Sequence, residues 1–283
     1  MRVFMTGATG YIGGAVAAEL RHHGHEVTAL VRPESEARHL RDLGVVIVAG
    51  DVDSLPSLGD ALNGYDTYVN TAFAPQHDRQ TIDTLASRGG QFLYTAGVWA
   101  FSDTTTADET TPPDPLKISA WRVEHEKLVL QSPSNAVIRP GCVYGGKQSL
   151  CKDWFAAVDQ RQPIELAGDG SNRWSMINLH DLANCYVAIV EQRAAGLFHA
   201  TDDTHETLAA CARALAADVE IRTTTPEQVR EKFGDAFAEA LLVDQQVSSR
   251  ITRERLGWMP KRTFTNSIDE QWREWRGTTA AAR

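Results

Sequence analysis

Eight residues near the start of the chain, Thr6-Gly7-Ala8-Thr9-Gly10-Tyr11-Ile12-Gly13, have the types and spacing to hold a phosphorylated ligand. They follow an apolar run and open a helical pattern. A glycine in such a turn permits positive φ, a second lets backbone N–H groups reach a pyrophosphate, and a third allows close packing of helix on strand. Gly7, Thr9, Gly10, Tyr11, Ile12 and Gly13 are therefore expected to wrap a dinucleotide. A second position refines the expectation. The next apolar run ends Ala29-Leu30-Val31-Arg32-Pro33. An acid at that point would bond ribose hydroxyls, whereas an arginine suits a 2′-phosphate, so Arg32 favours NADP(H) over NAD(H). Gly50-Asp51-Val52 closes the third run, where the Asp51 carboxylate would either accept from an adenine amino group or cap a helix.

The elements that must position these residues follow from periodicity. Short β-rich runs at Val3–Thr6, Glu26–Val31, Val45–Ala49, Thr67–Thr71, Gln91–Thr95 and Ala136–Arg139 alternate with helical patterns at Tyr11–His23, Glu34–Leu43, Leu55–Leu62, Arg79–Ser87 and Ser119–Gln131. Such alternation predicts an α/β, Rossmann-type doubly wound parallel sheet over residues 1–145. Residues 146–283 read as a smaller, mostly helical substrate lobe with helices at Trp154–Gln160, Asp181–Gln192, Leu208–Ala217, Pro226–Val243, Ser249–Leu256 and Asn266–Trp275. A strand at Gly196–Ala200 and the region near 180–200 return to the core.

The chain resembles the extended branch of the short-chain dehydrogenase/reductase superfamily, the epimerase/dehydratase-like group, over nearly its full length. Beside the glycine motif, the resemblance rests on Gly50-Asp51-Val52, Tyr94-Thr95-Ala96-Gly97, Arg139-Pro140-Gly141-Cys142-Val143-Tyr144-Gly145, Asn178-Leu179-His180-Asp181-Leu182-Ala183 and Leu256-Gly257-Trp258-Met259-Pro260. It implies further cofactor contacts from Val52, Ala72, Thr95, Arg122 and Pro140, and pairing of two copies through the helices near Arg79–Ser87 and Ser119–Gln131. The group's usual relay is a serine or threonine, a tyrosine that moves a proton, and a lysine that tunes it and holds the ribose. Alignment places Gly97, Ile118 and Arg122 at those positions. A guanidinium binds a ribose and supplies charge, but it is a poor proton donor. The resemblance is therefore to an atypical member.

Replacement chemistry has to come from the same strand ends. Tyr144 and Arg122 are the candidate catalytic residues, and Trp99, Phe101, Trp121, Trp154, Arg173 and Trp174 are the expected walls of a substrate pocket. Tyr144 is a phenol that a nearby cofactor cation would tune, although the resemblance makes its position structural. Arg173 matches an arginine that meets acidic substrates in sugar-nucleotide relatives, or else pairs on the surface. The leading expectation is an NADP-dependent oxidoreductase on a small organic substrate, with an activated C=C or iminium favoured because it asks less of an enzymic acid than a carbonyl does. A non-redox isomerase, cyclase or lyase, or a dinucleotide-sensing binding protein, stands as the alternative.

Composition sets the outer limits. A formal charge of −9 over 283 residues argues against nucleic acid or an anionic membrane as partner. Cys142, Cys151, Cys185 and Cys211 lack ligand or disulfide spacing, so free thiols are expected. His22, His23 and His25 diverge at a turn, and no metal site is expected. No apolar run reaches membrane-spanning length, and a cytoplasmic protein follows.

Overall fold

The computed structural model describes residues 1–146 and 148–280. Its centre is a seven-stranded, all-parallel sheet of β1 (Arg2–Thr6), β2 (Glu26–Val31), β3 (Val46–Ala49), β4 (Thr67–Asn70), β5 (Gln91–Thr95), β6 (Ala136–Pro140) and β7 (Gly196–Ala200), in spatial order 3-2-1-4-5-6-7. The apolar runs are nearly continuous because both faces are covered; every residue of β4, β5 and β6 is buried. On one face lie α1 (Tyr11–His22) and, paired with it, α6 (Leu179–Glu191). Helix α1 buries Val16, Ala17 and Leu20, and α6 buries Leu182, Tyr186, Ile189 and Val190 in the same core. The opposite face is covered by α3 (Asp78–Ala86), α4 (Ala120–Val129) and the 3-10 segment Val52–Leu62. Helix α2 is a short piece at Arg38–Asp42.

Most of the remaining helices build a second core around Trp154, Phe155, Trp174, Leu208, Leu241 and Phe264. They are α5 (Lys152–Asp159), α7 (Leu208–Leu215), α8 (Pro226–Phe233), α9 (Asp235–Leu242) and α11 (Ile268–Ala280). Helix α10 (Arg250–Leu256) packs against β7 instead, with Leu256 in the first core. Four cysteines are buried and free. No helix among the described residues is long and apolar enough to cross a membrane.

The strand at Gly196–Ala200 returns to the core as the seventh strand of the main sheet, pairing with β6. Other expectations need correcting. The single helix expected over Pro226–Val243 is two, broken at Gly234, whose φ of 77° no helix accommodates. The helix expected over Leu55–Leu62 is a kinked 3-10 segment containing Pro56. Helix Glu34–Leu43 shrinks to α2. Outside the main sheet, Thr104–Ala107 forms a short strand paired with Gln245–Val247.

Candidate functional site

The glycine turn sits where the strand order reverses, between β1 and β4, at the carboxyl edge of the sheet. Gly7 has φ 79°, and a Cβ there would fall 2.5 Å from the Ala72 nitrogen. At Gly13 a Cβ would fall 2.1 Å from the Gly7 carbonyl oxygen, so any side chain would drive α1 off β1. Gly10 N-caps α1 without a side-chain cap, which leaves the first N–H groups of the helix available to a phosphate. The close backbone packing that excludes a side chain at Gly7 and Gly13, together with the free N–H groups at the start of α1, is the geometry a dinucleotide-binding turn requires. Tyr11, one residue into the helix, donates its hydroxyl to the Gly145 carbonyl and so ties the cradle to the loop after β6. Burial holds its phenol pKa high.

The other strand ends expected to meet the cofactor share this edge. Arg32 follows β2 and is exposed, with only Glu34 nearby at 3.7 Å. Asp51 caps the 3-10 segment, its carboxylate accepting from the Val52 nitrogen at 2.6 Å within a capping box with Ser54. Capping, the second of its two readings, is thus its role in the structure. Below Ala72 and Thr95 runs a buried polar chain that sequence reasoning missed. Thr6 donates to Asn70 Oδ1 at 2.7 Å, which also accepts from the Ala72 nitrogen at 3.1 Å. Asn70 Nδ2 approaches Asp78 at 3.4 Å. The same Asp78 carboxylate accepts from Tyr94 at 2.5 Å and meets His125 Nδ1 at 2.7 Å. Burial, and then the Asp78 charge, push the Tyr94 phenol up, so the proton stays on the tyrosine. His125 stands one helical turn beyond Arg122 on α4, and that i, i+3 spacing was the available signal.

Two cavities open on either side of Ala96, Gly97 and Trp99. One, of about 270 Å³, runs from Tyr11 and Ile12 past Pro140, Gly141 and Cys142 to Gln148 and Leu150. The other, of about 330 Å³, is walled by Phe73, Ile118, Ser119, Arg122, Val123 and Phe237. The three positions aligned with the usual relay, Gly97, Ile118 and Arg122, thus meet in one cavity. Arg122 donates to the Thr95 carbonyl at 2.5 Å, and its guanidinium lies 4.7 Å from the Trp121 ring and 5.3 Å from the Phe73 ring. The aromatic clamp fixes its position. Phe73 was not singled out from sequence; an exposed aromatic one residue past Ala72 was the only hint.

No uncommitted acid faces these cavities among the described residues. Tyr11 is bonded to Gly145, and Ser119 donates to the Trp99 carbonyl. Burial pushes the Cys142 thiol up to about 12, opposed only by the Trp99 indole N–H, which otherwise has no acceptor. Glu126 reaches the second cavity with its carboxylate held by Arg139 at 3.1 and 2.5 Å.

The structure takes Tyr144 and Phe101 out of the pocket, pairs Arg173, and places Trp154 and Trp174 in a neighbouring cavity. Tyr144 is fully buried, packed edge-on against Phe264 and 3.4 Å from Asp202; desolvation raises its pKa, and it lines neither cavity, so it is not a catalytic acid. Phe101 is 2% exposed and packs on His199 and the Arg139 guanidinium, away from the pocket. Arg173 grips Asp244 with Nε at 2.8 Å and Nη2 at 2.5 Å, the pairing that was the second of its two readings. Trp154 and Trp174 line a separate cavity in the second core. Trp99 remains a wall of the cleft, and Trp121 supports it through Arg122. His180, whose backbone N–H is capped by Asn178, pairs with Glu274 at 2.8 Å.

Residues 7–106 match a family model described as NAD(P)H-binding. That part of the chain is similar to NAD(P)H-binding domains. The chain is 28% identical to an uncharacterized protein of Schizosaccharomyces pombe, covering 92% of this chain and 95% of that one. It is 27% identical to a 3-diazoavenalumate denitrifying reductase of a Streptomyces species, over 92% and 96% of the two chains. Its fold matches that of a human epimerase family protein solved with NADPH, at a TM-score of 0.82 and 22% identity, covering 96% and 99%. The proteins it is similar to thus include one named as a reductase.

Proposed function

We propose that this protein is an NADPH-preferring reductase that acts on electron-poor double bonds without an enzymic proton donor. The observation that carries this reading is the cavity where Gly97, Ile118 and Arg122 meet: it keeps the cation of the usual relay and lacks the acid. When bound, the nicotinamide supplies a hydride. The glycine turn and the start of α1 would hold the pyrophosphate, and Arg32 would pair with the 2′-phosphate. Arg122, clamped between Phe73 and Trp121, would face the charge that develops on a substrate as hydride adds to its double bond. A guanidinium stabilises that charge without giving up a proton, so water protonates the product. Conjugated enones and related acceptors suit this arrangement, because the charge spreads onto a heteroatom. A reductase among the relatives named for a diazo substrate also supports an acceptor other than a simple ketone.

The test is NADPH oxidation, followed by absorbance, against a panel of enones, iminium salts and simple ketones. Enones or iminium ions should be turned over and ketones should not. Turnover of a substrate with no net change in the nicotinamide would instead identify an isomerase or lyase, and ketone reduction at comparable rates would overturn the proposed chemistry.

A further inference from the structure

The second core holds a cavity of about 460 Å³, within the size range of pockets that bury small organic ligands. Leu166, Leu208, Val229 and Leu241 line it together with Trp154 and Trp174, while Asp153, Glu165, Thr224, Gln228 and Lys232 make up its polar part. The two indoles lie nearly parallel, 15° apart with centroids at 6.3 Å, and Phe264 meets Trp154 edge-on at 6.0 Å. Trp174 donates its indole N–H to the Leu241 carbonyl at 3.2 Å. This aromatic wall is fixed before any ligand arrives, which reduces the entropy lost on stacking another ring against it.

Several polar groups at the rim already hold a partner. Thr224 donates to the Leu166 carbonyl at 2.8 Å, Gln228 accepts from the Thr225 nitrogen at 2.8 Å, and Lys232 pairs with Glu165 at 3.0 Å. Asp153 adds negative charge at the rim. A phosphate or carboxylate would find little to hold it here and one charge to repel it. A neutral ring would find an apolar, aromatic surface. Leu150 lines both this cavity and the one leading to Gly97, so a ligand seated here lies next to the nicotinamide cleft.

We propose that the Trp154–Trp174 cavity is the recognition pocket for a neutral aromatic ring carried by the substrate. The assignment of the ring to a substrate rests on the reductase reading above; the existence of the pocket does not. The experiment therefore has two arms. In the first, 2-naphthol is titrated calorimetrically into the full chain, with and without saturating NADPH. Saturable binding that NADPH leaves unchanged is expected. It should weaken at least about tenfold in Ala157→Trp, which fills the cavity from α5, and in Trp154→Leu, which removes one ring. Ala157 is only partly buried, so this variant keeps the core intact, and a thermal melt checks the folding of both. Absence of saturable binding up to about 1 mM in the wild type, displacement by NADPH, or unchanged affinity in the folded variants overturns the pocket.

In the second arm, KM is compared for an enone bearing a phenyl group and for the same enone bearing a methyl group. The phenyl compound should have the lower KM, and Ala157→Trp should abolish the difference. Naphthol binding without reduction of either enone would retire the reductase reading and leave the pocket standing. Equal KM values with both enones reduced would overturn the assignment of the ring to the substrate.

Discussion

At the residue scale, the cofactor choice turns on one exposed side chain. Arg32 ends β2 with no strong partner, since Glu34 lies 3.7 Å away and both are largely solvated. Replacing it with alanine should weaken NADPH binding about tenfold and leave NADH nearly unchanged, which fluorescence titration of both cofactors would read. Equal losses would show that Arg32 does not meet the 2′-phosphate. Asp78 is the second informative residue, because Tyr94 and His125 both rely on its carboxylate inside the fold. In Asp78→Ala a buried hydroxyl and a ring nitrogen lose their acceptor, and urea denaturation should show a loss of about 3 kcal/mol. A loss below about 1 kcal/mol would mean that water takes over the bonds.

Among the elements, α11 is held to the start of α6 by His180 and Glu274. The hydrogen bond between them raises the histidine's pKa and lowers that of the glutamate. For His180 the contribution is complete below its ordinary value of 6.5 and disappears as pH rises through the raised folded value. For Glu274 it is complete above 4.5 and disappears as pH falls through the lowered one. The pair therefore acts fully between those two ordinary values. His180→Ala should lower Tm most near pH 5.5 and much less at pH 9, by a few degrees at most because the imidazole is 46% exposed. A penalty that stayed constant with pH would assign the effect to packing.

The legibility of the chain also divides by element. Strands β1, β2 and β4 to β6 and the glycine turn were readable because a buried parallel strand writes itself as an apolar run ending at a turn; β3 is an edge strand with no buried residue, yet keeps the apolar run. The relay positions were readable too, since Gly97, Ile118 and Arg122 do meet in one cavity. What local sequence did not carry was pairing at long range. Arg173 meets an Asp244 that lies 71 residues away, and nothing near either marks the other. Tyr144 and Phe101 were misjudged for a related reason: sitting beside a strand end does not fix which way a side chain points. Tryptophan content foretold aromatic walls but not that Trp154 and Trp174 line a different cavity from Trp99.

For the whole molecule, ligand binding and assembly give two readouts. NADPH at about 100 times its Kd should add about 2.7 kcal/mol and raise Tm by roughly 5 °C, and a melt that does not move would deny the cradle its ligand. Pairing of two copies across α3 and α4 would bring together surfaces bearing the Arg79–Asp83 and Lys127–Glu124 pairs. Sedimentation should then give twice the chain mass of 31.1 kDa at low salt, falling toward one chain as salt screens those charges; a single-chain mass throughout would rule out the pairing.

Gly97 carries one more implication. Its backbone is extended, at φ 176° and ψ 160°, a conformation open to every amino acid, and a Cβ there would approach nothing closer than the Pro140 carbonyl oxygen at 3.9 Å. The first vacancy in the relay is thus a missing side chain on a main chain still shaped to bear one. An engineer who wanted alcohol chemistry from this scaffold would not need to rebuild its loop. At this position a hydroxymethyl group could be fitted into space that is already there.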